Sequence, residues 1–323
     1  MTVLVDVRDL SVRFRLPRGT AVRAVTGASF QLRAGRCLAL VGESGCGKSV
    51  LVGSLLGLLP GNAEVAGTAV LTDGVSQVDL LTAPEPVLSR RIRGRRIGLV
   101  PQSPAAHLTP VHTVRRHLTE TLGTLRPKTG RTMPRQRRRA ADQAAVEAGA
   151  RVGLPATALA HYPHELSGGM AQRAVTALAL AGDPEVLLAD EPTTGLDASL
   201  ARRTLDELRQ LVDLGHAVLL ITHDLDAAAR IADDVAVMYA SRIVETGPVE
   251  AVLHRPRHPY TAGLLAALPR NGFHPIPGLP PQLDSLPGGC AFESRCQRAG
   301  AECAQAPPAT ADGGHLVACH RPC

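Results

Sequence analysis

"GESGCGKS", Gly42–Ser49, decides the fold. It follows the unbroken apolar run Cys37–Val41 and leads into "KSVLVGSLLGLLPG", Lys48–Gly61. An apolar run without polar alternation is what a strand buried on both faces requires. The stretch after Gly47 predicts a helix stopped by Pro60 and Gly61. A glycine-rich loop in that setting matches G-x-x-x-x-G-K-S, in which backbone N–H groups curl around phosphate oxygens at the positive end of a helix. Gly42, Glu43, Ser44, Gly45, Cys46 and Gly47 would form the cradle. Lys48 would reach the β- and γ-phosphates, and the Ser49 hydroxyl would hold Mg²⁺. A chance glycine-rich turn is the competing reading; the strand before and the helix after argue against it.

Outward from the loop, the same grammar repeats. "PEVLLADE" and "HAVLLITHD" are two further buried strands, joined by "DASLARRTLDELRQLVDLG", where Leu200, Leu205, Leu208 and Val212 recur at helical spacing. Strand–helix–strand alternation predicts an α/β core, into which a largely helical stretch from about Pro104 to Met170 is inserted. The N-terminal "MTVLVDVRDLSVRF" alternates in two registers and reads as a strand, not a signal peptide. The region from Gly61 to about Arg96 reads as polar and irregular before the short apolar "IGLV". From about Val249 onward Pro, Gly and Cys become dense, and periodicity fades.

Composition narrows the function classes. With 323 residues the chain has room for one large domain or two modest ones. Thirty-five Lys and Arg against 29 Asp and Glu leave a net charge of +6. That balance could suit nucleic acid, but four Phe, three Tyr and no Trp provide few stacking platforms for single strands. The basic run "RTMPRQRRR", Arg131–Arg139, reads as a solvated helix start or loop. No window approaches eighteen uninterrupted apolar residues, so no span is expected, and the chain is expected to be cytosolic. Disulfides are unusual in that compartment; a cysteine cluster there points to metal or redox chemistry.

"VLLADE" supplies the complement to the phosphate loop. A buried strand ending at Asp190 would set a carboxylate beside Mg²⁺, and Glu191 could polarise an attacking water. Both carboxylates could instead cap a helix, since Pro192 and Thr193 follow. With the phosphate loop upstream, the pair reads as part of a nucleoside-triphosphatase. "ELSGGMAQR", Glu165–Arg173, is a helix-start motif whose serine and glycine N–H groups can bind phosphate.

Taken in order, "GESGCGKS", "PQ", "LSGGM", "LLADEP", "TTGLD" and "ITHD" make the chain resemble the ATP-binding subunit of ABC transporters. The resemblance covers about residues 1–248. It implies an α/β P-loop NTPase core of ABC type, with an N-terminal antiparallel β subdomain, an inserted helical subdomain at about 104–172, and a small cysteine-containing extension at 249–323. It also implies roles. Lys48, Glu191 and His223 would be catalytic, with His223 contacting the γ-phosphate and orienting Glu191. Gln102 would sense Mg²⁺ and the γ-phosphate, so that Ser49, Gln102 and Asp190 serve the metal. Ser167, Gly168, Gly169 and Met170 would complete the ATP site of an opposing subunit, Asp197 would communicate across the dimer, and Phe14 would stack on adenine. Two positions depart from the usual pattern: Pro101 stands where an aromatic residue is common, and Met170 where glutamine is.

"HRPRHPYTAGLLAALP", together with "YPHELSGGM", resembles the ATPases of oligopeptide and dipeptide importers, including nickel-uptake relatives. That resemblance implies ATP hydrolysis at the cytoplasmic face of the cell membrane. Its partners would be two transmembrane permeases, a second homologous ATPase (a different chain or a second copy) and an extracytoplasmic substrate-binding protein, without nucleic acid. The alternatives are an importer of nickel or a metal chelate and, from another class, a soluble ABC ATPase of DNA repair or translation.

Cysteine spacing completes the reading. Cys290, Cys296, Cys303 and Cys319 are separated by five, six and fifteen residues. Four cysteines suit a 4Fe–4S cluster or tetrahedral zinc, but the tighter C-x2–4-C pairs that zinc ribbons favour are absent. "GC-x5-C-x6-C…VACH" also resembles the cysteine tail of dipeptide-importer ATPases, some of which hold a 4Fe–4S cluster. The tail is therefore expected to carry one.

Overall fold

The structure, a computed structural model, describes residues 2–72, 74, 76–125 and 134–323. The chain forms two compact units: Met1–Pro84 together with Leu219–Cys323, and Glu85–Val218.

The first unit opens with strands β1 (Val3–Arg15) and β2 (Ala21–Arg33), which pair antiparallel. The two registers of β1 have a physical cause. Val5 and Val7 are buried, then Leu10 and Val12, and the change of parity falls at Asp9, whose φ of 49° marks a bulge. After a turn closed by Arg36 N–H to the Arg33 carbonyl comes β3 (Cys37–Val41), buried at every position. Helix α1 (Lys48–Leu55) ends before the predicted Pro60 stop. Strands β4 (Ala63–Thr72) and β5 (Gln77–Asp79) complete a sheet of order β2-β1-β4-β5. The irregular region expected from Gly61 to about Arg96 thus begins with a ten-residue strand. Its period is hidden because Val65 to Thr68 are exposed in succession and Gly67 lies against the bulge; a Cβ there would stand 2.6 Å from the Asp9 carbonyl oxygen.

In the second unit, β6 (Ile97–Val100) runs parallel to β7 (Val186–Asp190). Gly98 allows this pair to approach the end of a helix, since a Cβ would meet the Ala179 carbonyl oxygen at 2.5 Å. The expected helical stretch comprises short 3₁₀ turns with α2 (Val114–Leu125), α3 (Pro134–Arg151) and α4 (Gly168–Ala179). Val114, Leu118 and Leu122 form the buried stripe of α2 at i, i+4, i+8. Of the basic run, Arg131–Met133 lie outside the described residues. Helix α5 (Ala198–Asp213) buries Leu205, Leu208 and Val212 of the four residues its spacing picks out, while Leu200 is half-buried. Strand β8 (Ala217–Thr222) then leads the chain back.

Returning, the first unit gains α6 (Leu225–Ile231), β9 (Asp234–Tyr239) and β10 (Arg242–Pro248). Strand β9 lies parallel to β3, and β10 antiparallel to β9. Beyond α7 (Val249–His254) and α8 (Pro259–Ala266), β11 (Ala309–Asp312) and β12 (His315–Ala318) form a hairpin that pairs with β10.

The C-terminal segment therefore needs no core of its own. Tyr260 and Phe292 pack on Tyr239, with ring centroids 4.5 and 5.2 Å away. Each such buried side chain contributes on the order of 2 kcal/mol. Polar groups fix the register. Fully buried Glu245 accepts the Arg257 N–H at 2.6 Å and the His258 N–H at 3.0 Å, and faces His315 Nε2 at 2.7 Å. No helix among the described residues is long and apolar enough to cross a membrane.

Candidate functional site

In the first unit the phosphate loop leaves β3 at Gly42 and enters α1 at Lys48. Two of its glycines are dictated by the scaffold. A Cβ on Gly42 would stand 2.1 Å from the Met238 carbonyl oxygen, and one on Gly47 1.9 Å from that of Ala24. Gly45, at φ 80°, has nothing within 4 Å, so its backbone faces open space. Buried Lys48 directs its ammonium back into the loop, donating to the carbonyls of Gly42 at 2.9 Å and Glu43 at 3.0 Å. Ser44, Gly45 and Ser49 are exposed, whereas Cys46 is buried, which pushes its thiol pKa up. Phe14 is half-buried in β1, in register with Val22 and Ala63. His223 is exposed directly after β8.

The loop has partners that the sequence reading missed. The Arg295 guanidinium meets the Glu43 carboxylate through two parallel contacts, each of 3.0 Å, and the Glu43 N–H donates to Tyr260 Oη at 3.0 Å. Only the "HPYT" motif around Tyr260 hinted at this; nothing in local spacing marks Arg295.

The second unit carries the carboxylates. Asp190 is the buried last residue of β7, and Glu191 after it has φ 46°, a left-handed conformation that costs a non-glycine residue on the order of 1 kcal/mol. Its carboxylate is held: Gln102 Nε2 donates to Glu191 Oε2 at 3.1 Å, and Thr194 Oγ1 donates to the same oxygen at 3.0 Å. Pro101 is buried and Gln102 exposed, so the proline departure still delivers the amide to Glu191.

Ser167 N-caps α4, its hydroxyl accepting the Met170 N–H at 3.3 Å. Gly168 is exposed, while Gly169 is buried against Leu200, whose side chain lies 2.3 Å from where a Cβ would be. Asp197 N-caps α5: its Oδ1 accepts the Ser199 hydroxyl at 2.7 Å and the N–H groups of Ser199 and Leu200 at 2.9 and 3.0 Å. Those hydrogen bonds hold its carboxyl below the usual carboxylate range.

Of the expected residues, Gly42–Ser49, Phe14, His223 and the tail cysteines belong to the first unit. Gln102, Ser167–Met170, Asp190, Glu191 and Asp197 belong to the second.

In the tail, Cys290, Cys296, Cys303 and Cys319 are all free thiols. The Cys290 N–H donates to the Cys303 carbonyl at 2.8 Å. Burial, together with the neighbouring thiols, raises the pKa of Cys290 and pushes Cys319 up to about 11. Nearness is not ligation, however. Among the described residues no group of three or more His, Cys, Asp or Glu is arranged to hold a metal ion. The expected 4Fe–4S cluster thus finds no support in the arrangement of these thiols.

Known proteins place these features in a family. A family model described as ABC transporter matches residues 25–194, and one described as the oligopeptide/dipeptide transporter C-terminal region matches residues 244–303. An oligopeptide transport ATP-binding protein of Mycobacterium tuberculosis, named OppD, is 41% identical over 99% of this chain. The chain spans 52% of that relative's length, about half. A protein named OppD from Haemophilus influenzae is 40% identical, over 96% of this chain and 94% of its own. A peptide import ATP-binding protein of Brucella melitensis is 42% identical, over 94% and 92%. In fold, a dimeric ATP-binding cassette solved with ADP and Pi superimposes with a TM-score of 0.64 at 21% identity, over 76% of this chain and 98% of that one. With the fold of an ATP-binding cassette, a matching family model over residues 25–194 and relatives at about 41% identity, the chain belongs to the ABC transporter family, in the branch that carries the oligopeptide/dipeptide transporter C-terminal region.

Proposed function

We infer that this chain is the ATP-hydrolysing subunit of an importer of oligopeptides or dipeptides, peripheral to the cytoplasmic face of the membrane. The observation that carries the reading is Glu191, held by Gln102 and Thr194 at the end of a buried strand in a family whose loop binds ATP. Peptide cargo is supported by the names of the relatives and by the matched C-terminal region.

In this reading Lys48 exchanges the carbonyls of Gly42 and Glu43 for phosphate oxygens, neutralising charge that grows as the γ-phosphoryl departs. Glu191 accepts hydrogen bonding from the attacking water and orients it, and His223 steadies the γ-phosphate. Ser49, Asp190 and Gln102 would hold Mg²⁺, which draws charge from the phosphate oxygens. Ser167, Gly168, Gly169 and Met170 serve the ATP of a second ATPase subunit, with Asp197 at the same junction. Two permeases and an extracytoplasmic binding protein complete the importer. Phe14 is the candidate adenine neighbour.

The 4Fe–4S cluster on Cys290, Cys296, Cys303 and Cys319 is the finer reading of the tail. It rests on the four cysteines and on the resemblance of "GC-x5-C-x6-C…VACH" to the tails of dipeptide-importer ATPases, and iron and sulfide analysis of anaerobically purified protein tests it.

The function is tested with Glu191→Gln in the complex assembled with its permeases. ATP binding should persist while hydrolysis falls about 100-fold or more. Unchanged hydrolysis would remove Glu191 from the mechanism. Peptide-stimulated turnover of the wild type, absent with nickel or a chelate, identifies the cargo.

A further inference from the structure

The geometry points to Arg295 and Tyr260, both in the C-terminal segment, as positioning residues for the phosphate loop: they hold Glu43, so that nucleotide affinity depends on how that segment is folded. This rests on the reading of Gly42–Ser49 as the ATP loop.

Glu43 is gripped at each of its polar groups. Its carboxylate takes both Arg295 amino groups at 3.0 Å, its N–H donates to Tyr260 Oη at 3.0 Å, and its carbonyl accepts the Lys48 ammonium at 3.0 Å. A two-pronged guanidinium–carboxylate pair fixes direction as well as distance, which a lysine could not do.

Arg295 is itself immobilised. Its side chain is 5% exposed. Its Nε donates to the Pro277 carbonyl at 3.0 Å, its Nη1 lies 3.3 Å from Tyr239 Oη, and its guanidinium sits 5.7 Å from the Tyr239 ring centre and 5.9 Å from that of Phe292. Tyr260 is fully buried against the same rings. The anchor is thus built from α8, β9 and the segment between Cys290 and Cys296.

The loop is also close-packed against β9, since a Cβ on Gly42 would stand 2.1 Å from the Met238 carbonyl oxygen. The first turn of the loop is therefore held between β9 and the C-terminal segment. When phosphate arrives, Lys48 leaves the Gly42 and Glu43 carbonyls, and the clamp keeps that peptide in place while it does so. A surface ion pair would stabilise the fold alone; this one ends on the residue whose carbonyl parks the catalytic ammonium. Because coupling is reciprocal, nucleotide in the loop must also steady the segment around Arg295.

The experiment uses the full chain, with Mg²⁺–ADP as probe. Titration calorimetry gives its affinity, and amide hydrogen exchange over residues 288–303 is followed with and without it. In the wild type, ADP should slow exchange across 288–303. Glu43→Gln, which leaves Arg295 in place, and Arg295→Met should each weaken ADP binding about fivefold or more and abolish that slowing. The double variant should be no weaker than the worse single one, because both remove the same contact. A merely structural pair would lower the unfolding temperature and leave ADP affinity unchanged at 20 °C below it. If Arg295→Met does not fold, Glu43→Gln decides alone. Wild-type affinity in Glu43→Gln, or exchange over 288–303 that ignores ADP in the wild type, overturns the inference. A wild-type chain that binds no ADP overturns the ATP-loop reading as well, which separates the two failures.

Discussion

Gln102 Nε2 lies 3.1 Å from Glu191 Oε2, joining the second residue after β6 to the first residue after β7 across 89 positions of chain. Because β6 and β7 are parallel neighbours, their C-terminal ends open side by side, and the amide and the carboxylate meet there. Gln102→Leu removes that donor while the Thr194 hydroxyl still donates to the same oxygen. Hydrolysis should fall on the order of tenfold, since the loss is one charge-assisted hydrogen bond of about 1.5 kcal/mol. ATP affinity, measured alongside turnover in the assembled complex, should change far less.

The loop glycines should differ sharply when replaced. Gly47→Ala places a Cβ 1.9 Å from a backbone oxygen at φ 111°, so it should cost about 3 kcal/mol and lower the unfolding midpoint markedly. Gly45→Ala meets nothing within 4 Å and should cost only the backbone strain, about 1 kcal/mol. Denaturant unfolding of the two variants distinguishes a scaffold glycine from one facing the ligand side.

Stability should depend on mildly acidic pH through His258. Its ring is 1% exposed, and burial pulls its pKa down from 6.5 to about 4; its Nδ1 accepts the Tyr260 N–H at 3.0 Å. Below pH 6.5 the unfolded chain takes up a proton that the folded chain refuses until about pH 4. The stabilisation is therefore complete above the unfolded value and is lost as pH falls, by about 3 kcal/mol at the lower end. Urea titrations from pH 7.5 to 4.5 should show the slope, and His258→Asn, which keeps a capping acceptor, should flatten it.

Removing the carboxylate that ties the C-terminal segment to β10 should loosen that segment. Glu245→Ala strands the N–H groups of Arg257 and His258 and the His315 ring in a buried site. The cost should be about 3 kcal/mol. Limited proteolysis should then cut between residues 268 and 323 before it cuts the rest of the chain.

Much of this architecture can be read from residues in line. Cys37–Val41, Val186–Asp190 and Ala217–Thr222 announce themselves as apolar runs because each is buried at every position. Ser167 reads as the start of α4 because its hydroxyl can reach the N–H three residues on. Two things resist such reading. Strand β4 is invisible because four successive residues face solvent, so alternation fails where pairing persists. The Arg295–Glu43 contact is invisible because 252 residues separate its members, and only the completed fold brings them together. The cysteine tail suggests a metal set, whereas among the described residues no group of three or more His, Cys, Asp or Glu is arranged to hold a metal ion.

The pairing of β3 with β9 has a consequence for how the protein is made. Cys37 donates its N–H to Asp233 across 196 positions, and Leu38 lies in register with Asp234. The strand that launches the phosphate loop therefore has no neighbour from its own unit on that side until the ribosome has delivered β9, after the whole of the second unit. At about 5–20 residues per second, that leaves the apolar run Cys37–Val41 waiting for tens of seconds at the slower rate. Birth order thus leaves the first strand buried at every position incomplete until late, and a chain released before Asp234 would lack the partner that β3 requires.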